Sequence, residues 1–301
     1  MADLKQLARQ ISRETLAAID IPATMQRRLH RQGAQIVCED KVFDLRAFEK
    51  IRVVAVGKAA HAMVEGLVQV LAPFVRFEGI VSAPSLPRKK VPGLKYFAAG
   101  HPTPNEGSWE SAEAILALLK KCDEKTLVFF LLSGGGSALM ELPLDLRQTL
   151  EDVQQVHRAL VTCGASIDEI NAVRKHLSAV KGGRLAVAAA DATKITMAVS
   201  DVPAGKESAL ASGPTLPDPT TVADAKRVVE AYSLSEKFSP TLRRWLNEGK
   251  MPETPKYGDK AFKKSYFALA LGVDDLFHPA HRAAEGLGFV TCCDNSKDDW
   301  P

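Results

Sequence analysis

Thr126-Leu127-Val128-Phe129-Phe130-Leu131-Leu132-Ser133-Gly134-Gly135-Gly136-Ser137 decides how the rest of this chain is read. The apolar run 127–132 has the length of a strand, and an uninterrupted run of that kind is buried on both faces, like the central strand of a parallel sheet. The three glycines after it free the backbone for positive φ and present successive N–H groups as a cradle for an anion, with Ser133 and Ser137 adding hydroxyls. A tight turn at a strand end would need only two glycines, so a phosphate or carboxylate is the expected occupant.

Working outward, residues 51–56 form a β-branched run that closes on Gly57, followed by a helical pattern over 59–71 and a strand pattern around 79–82. A weaker strand at 96–98 leads through His101-Pro102-Thr103-Pro104 to a helix at 108–121. Beyond the glycine loop, helical periods cover 145–162 and 167–180, a buried strand covers 194–199, and a helix covers 222–232. Residues 3–18 and 25–35 read as a helical lead-in. This alternation predicts an α/β fold: a three-layer, doubly wound, mostly parallel sheet of Rossmann-like type with helices on both faces. That domain is expected to span 1–232, with a polar, Pro-bearing linker at 233–264. A further strand, helix, strand unit at 265–271, 275–286 and 289–292 is too small to bury its own sheet face, so 265–301 reads as the incomplete start of a second α/β domain.

Composition narrows the function classes. The chain has 301 residues, 46% of them apolar and 25% charged, with a formal net charge of +3. That charge is too small and too evenly spread for a dedicated nucleic-acid or membrane surface, so small molecules or proteins are the expected partners. No run approaches a membrane span, and Asp3, Lys5 and Arg9 interrupt what would be the apolar part of a secretory signal, so cytoplasmic residence is expected. Five cysteines without CxxC spacing argue against a disulfide framework or a zinc site, and Cys292 and Cys293 read as strand residues.

Three common fingerprints fail. Gly57-Lys58 has Arg52 where a Walker loop needs its first glycine, and Ala59 where it needs Ser or Thr. Gly134 and Gly136 are followed by Leu139, which breaks both the dinucleotide GxGxxG and a nucleophile elbow centred on Ser137. What remains are strand ends. Lys58 follows the first strand and could act as a point charge on phosphate oxygens, or simply be solvated. Asp201 follows the strand 194–199 and could hold Mg²⁺, accept a hydroxyl proton, or make a turn. Along 171–183, Arg174, Ser178 and Lys181 fall at helical steps with Asn171 a turn before Lys175, a face able to bind anionic oxygens, and Gly182-Gly183 reads as the helix C-cap. His157 and His176 lack partners at metal-ligand spacing.

Together the segments VGKAA (56–60), HPTPNEGS (101–108), LSGGGSALMELP (132–143), NAVRKHLSAVKGGRLA (171–186), SDV (200–202) and ASGPTLPDPTT (211–221) resemble the class II glycerate kinases, whose two-domain members carry a C-terminal MOFRL domain. The resemblance implies ATP-dependent phosphorylation of D-glycerate, most often to 2-phosphoglycerate, with Mg²⁺. It matches Lys58 to the family's catalytic lysine, Ser133 to Ser137 to its phosphate-binding loop, and Asp201 to its functional aspartate; Asn171, Arg174 and Lys181 are carried as substrate-binding candidates. Metal ligands stay unassigned and a homodimer stays open. Two departures stand out: Lys206 follows Gly205 where the family usually has an acidic residue, and the chain ends before the second domain's arginine and aspartate. The competing readings are an NAD(P)H-dependent hydroxypyruvate reductase, a label some members of this family have carried, and a ligand-binding chain without turnover.

Overall fold

Strand β7 (Thr126–Ser133) is buried along its whole length, because it sits between two apolar layers that take alternate residues. Phe129 and Leu131 pack on one face with Met63, Leu67 and Met197. Phe130 and Leu132 pack on the other with Ile115, Leu119 and Leu139. Period-2 alternation across a doubly covered sheet is what makes the run continuous in apolar character.

The computed structural model describes residues 3–71, 76–203 and 205–292. It opens with helices α1 (Leu4–Ala17) and α2 (Ile21–Arg28), and three short antiparallel strands, β1 (Leu29–Gln32), β2 (Gln35–Cys38) and β3 (Lys41–Asp44). The main sheet then begins with β4 (Lys50–Val56), α3 (Ala60–Leu71), β5 (Glu78–Ala83), β6 (Leu94–Ala98) and α4 (Glu106–Leu119). After β7 come α5 (Gly136–Leu139), α6 (Leu150–Val161), α7 (Ile167–Leu177) and α8 (Arg184–Ala188). β8 (Thr193–Val199), α9 (Val222–Ala231), α10 (Leu234–Lys237), α11 (Pro240–Asn247), β9 (Ser265–Leu271) and α12 (Asp274–Gly286) complete the order.

The six strands of the main sheet are parallel and lie in the order β6-β5-β4-β7-β8-β9. Numbered within that sheet this is 3-2-1-4-5-6, the doubly wound order, with its reversal between β4 and β7. The expected α/β class is therefore realised. Ligands of such sheets bind beyond the carboxyl ends of the strands flanking the reversal, which here are Val56 and Ser133.

Several expectations are corrected. Residues 265–271, expected to open a second domain, form β9 and pair in parallel with β8, whose outer edge would otherwise lie bare. The stretch 233–264, read as a linker, carries α10 and α11; Leu234, Phe238, Leu242 and Trp245 bury in one cluster with residues of α6, α7 and α9. Residues 289–292 form no strand, and Cys293 with 298–301 lies outside the described residues. The lead-in helix stops at Arg28, where Leu29 turns extended (φ −130°) and begins β1, and Gly33 takes φ +62° in the turn where β1 and β2 pair at Gln32 and Gln35. Helix α7 ends at Leu177, so Gly182-Gly183 is not its cap; Gly183 is the N-cap of α8.

Candidate functional site

The site is assembled where β4 and β7 end side by side. Gly57 takes φ +135°, and a Cβ there would fall onto the Ser133 hydroxyl and within 2.6 Å of the Ser133 carbonyl oxygen, so only glycine lets the two strand ends approach this closely. The closure is hydrogen-bonded: Lys58 N donates to Gly134 O at 3.0 Å, and Ala59 N donates to Ser133 Oγ at 3.0 Å. Ser133 is buried, so its hydroxyl ties the start of α3 to β7 rather than facing the cleft. The Lys58 side chain is left exposed above this junction.

The glycine loop turns directly after it. Gly135 has φ +85°, and a Cβ on it would lie 2.9 Å from His101 Cδ2, 3.2 Å from His101 Nε2 and 3.3 Å from Lys58 Cε. A Cβ on Gly134 would lie 3.5 Å from Asp201 Oδ2. Lys58 and His101 thus approach the loop at Gly135 and Asp201 approaches it at Gly134, all three exposed. Among the described residues no backbone carbonyl accepts from the N–H groups of Gly134, Gly135, Gly136 or Ser137. Unspent donors at an open strand end, with a lysine beside them, suit an anion. The convergence of Lys58, Ser133 and Asp201 at one sheet edge, expected from the sequence, is what the coordinates give.

A second tier holds the loop from below. Ser137 Oγ and Ser212 Oγ are 2.8 Å apart, and Ser212 Oγ donates to Asn171 Oδ1 at 2.9 Å. Ala211 and Ser212 both have positive φ, +50° and +59°, and the Ala211 methyl lies where a Cβ on Gly136 would come within 2.6 Å. Non-glycine residues in this conformation cost about 1–3 kcal/mol each, so the surrounding contacts hold them there. Asn171 is buried, with its Oδ1 engaged by Ser212.

Of the cations on the 171–183 segment, Lys181 departs most from expectation. It is fully buried, donating to Glu141 Oε2 at 2.6 Å and to Met140 O at 3.3 Å, and therefore does not line the cleft. Lys175 likewise pairs inward, with Asp218 at 3.1 Å. Arg174 is half-buried with its Nε unpartnered, and with Glu141, Gln148, His157 and Ser178 it lines a cavity of about 20 Å³, roomy enough for a water. Glu141 was missed in the sequence. It accepts from Ser178 Oγ at 2.6 Å and lies 2.9 Å from His157 Nε2; the one signal was a single acid inside the apolar run 138–144. Burial pushes its carboxyl pKa up, but Lys181 and His157 outweigh that and hold it below the usual range. Burial lowers His157, against the pull of Glu141. His101 was also missed, although its block was noticed. Burial first, and then Lys58, lower its pKa below the ordinary histidine value.

The family described as "Domain of unknown function (DUF4147)" matches residues 7–247. A glycerate 2-kinase of Pyrococcus horikoshii is 36% identical over 247 residues, which is 82% of this chain and 54% of that protein. A protein of Agrobacterium vitis named as a hydroxypyruvate reductase is 42% identical over 209 residues, 69% of this chain and 46% of that protein. Among solved structures, a glycerate kinase of Thermotoga maritima superposes with a TM-score of 0.73 at 33% identity, covering 95% of this chain and 63% of that one. The chain spans about half the length of the curated relatives it matches.

Proposed function

The chain belongs to the DUF4147 family and is a homologue of glycerate 2-kinases, and from that premise we propose that it takes part in ATP-dependent phosphorylation of D-glycerate to 2-phosphoglycerate. The observation that supports this reading is the convergence of Lys58 and Asp201 on the glycine loop at the reversal of the sheet. Phosphoryl transfer asks a protein mainly for positioning and for neutralising charge. In this reading the free N–H groups of Gly134 to Ser137 cradle the phosphates and Lys58 supplies a point charge on the transferring group. Asp201 faces the glycerate hydroxyl as it attacks. Arg174 remains the substrate-side candidate, while Asn171, Ser133 and Lys181 act as the scaffold.

Mg²⁺ is part of the proposal and fits the residues present. Among the described residues no group of three or more His, Cys, Asp or Glu side chains forms a metal cage. Mg²⁺ in such reactions is ordinarily held by one or two carboxylates together with phosphate oxygens, and Asp201 beside Gly134 suits that role. The ion would neutralise phosphate charge there. Among the described residues no helix is long and apolar enough to cross a membrane. Cytoplasmic residence goes with the use of ATP, and the homodimer left open by the sequence is checked by sedimentation velocity.

Coupled release of ADP dependent on D-glycerate tests the reading, with phosphorus NMR identifying the phosphorylated hydroxyl; absence of turnover and of ATP binding would sink it. The second reading, hydroxypyruvate reduction, follows the name of the Agrobacterium relative. It needs a nicotinamide site, and the loop's Leu139 breaks the dinucleotide pattern. NADH oxidation dependent on hydroxypyruvate would reverse the ranking.

A further inference from the structure

The loop between β6 and α4 is built to hold one side chain still. Ala99 N donates to Ala83 O at 2.8 Å, and Gly100 N donates to Ser108 Oγ at 3.0 Å. Asn105 caps α4 through a reciprocal pair with Ser108, and a Cβ on Gly107 would overlap the Ala98 carbonyl oxygen. His101 projects from this braced loop against Gly135, beside Lys58, with neither ring nitrogen hydrogen-bonded among the described residues. The braced backbone thus sets the His101 ring against Gly135, next to N–H groups that no backbone carbonyl accepts from among the described residues.

We infer that His101 is a ligand-contacting residue of this cleft, placed to donate a hydrogen bond from its imidazole to an oxyanion of a polyphosphate chain held over Gly135, beside the Lys58 ammonium. The inference rests on the phosphate-handling reading above and adds a residue to it. The charged groups facing the ring are Lys58 and, across Gly134, Asp201. Burial first, and then Lys58, disfavour the charged imidazolium here, and either tautomer of the neutral ring still carries one N–H donor. One point charge and one directional donor then flank the same oxygens, and a hydrogen bond to a charged group is the stronger kind.

The test uses the 301-residue chain, ring-¹⁵N-labelled histidine and tripolyphosphate as the probe, with His101→Asn assigning the resonance. The His101 Nε2 signal should shift saturably with the probe. His101→Leu should weaken tripolyphosphate binding by on the order of tenfold or more, and His101→Gln, which keeps a donor, should stay within about threefold of the parent. If tripolyphosphate binds while the His101 signal stays still, or His101→Leu binds like the parent, the assignment of His101 is overturned and the phosphate-handling reading survives. If tripolyphosphate does not bind the parent chain, both fall. His101 is exposed on its loop, so a matching thermal unfolding curve for His101→Leu separates lost contact from lost fold.

Discussion

Lys181 Nζ lies 2.6 Å from Glu141 Oε2, and both side chains are sealed from solvent. The pair joins the segment leaving the glycine loop to the segment leaving α7. A buried ion pair of this kind is costly to half-remove, because the surviving charge keeps its burial and loses its partner. Glu141→Ala is therefore expected to destabilise the chain by about 3–5 kcal/mol, read from urea unfolding. Unchanged stability would place both charges in contact with water.

The same pair predicts an acid dependence with a definite sign. Burial alone raises the Glu141 carboxyl, but Lys181 and His157 bring its folded pKa below the ordinary value of about 4.3. Its contribution is then complete above about pH 4.3 and is lost as the pH falls through the folded value. The stability gap between parent and Glu141→Gln should accordingly be widest near neutrality and narrow as the pH falls from about 4.3 toward the folded value of about 2. A gap that widens in acid would contradict the assignment.

If the proposed phosphorylation of glycerate holds, Lys58→Met should lower its kcat by on the order of 10² or more while leaving unfolding unchanged, since the side chain is exposed. Lys58→Arg should restore little, because a planar fork does not reproduce a compact charge. Near-normal turnover by Lys58→Met would return this lysine to the solvated surface.

Gly57→Ala places a methyl on the Ser133 hydroxyl at a φ that alanine avoids, and so forces β4 and β7 apart. The expected cost is about 2 kcal/mol or more, with the Lys58 to Gly134 and Ala59 to Ser133 hydrogen bonds lost together. Slowed hydrogen exchange at Lys58 and Ala59, retained in the variant, would argue against it.

Ser212→Ala cuts the relay from Ser137 to Asn171 and leaves a buried amide oxygen without its donor. A loss of about 1–3 kcal/mol is expected. Ser212→Gly removes the same hydroxyl but relieves the positive φ, so it should be less destabilising than the alanine variant. Equal stability of the two variants would mean that no strain resides at this position.

The parts of this architecture that could be read from the chain are those in which local pattern and tertiary role coincide. The run 127–132 is apolar because both its faces are covered, and the glycines after it are required by close approach, so strand and cleft were legible together. The strands β1 to β3 were not, since each has only four residues and their burial is partial, and His30, Arg31 and Gln32 of β1 carry no apolar alternation. Membership of β9 in the main sheet was hidden for another reason: which edge a strand joins depends on β8, some seventy residues earlier, and not on its own composition. Lys181 and Glu141 likewise could not be paired from spacing, because they are 40 residues apart and meet only across the packed segments.

The reversal of winding between β4 and β7 carries an evolutionary consequence. The chain leaves these two neighbouring strands in opposite directions, so a groove exists there whatever side chains line it, and no core residue is sacrificed to make it. Lys58, His101 and Asp201 all stand on connections rather than inside the strands. Changes of ligand preference can therefore accumulate on those connections while Phe129 and Phe130 stay as they are, which separates the selection acting on chemistry from the selection acting on folding.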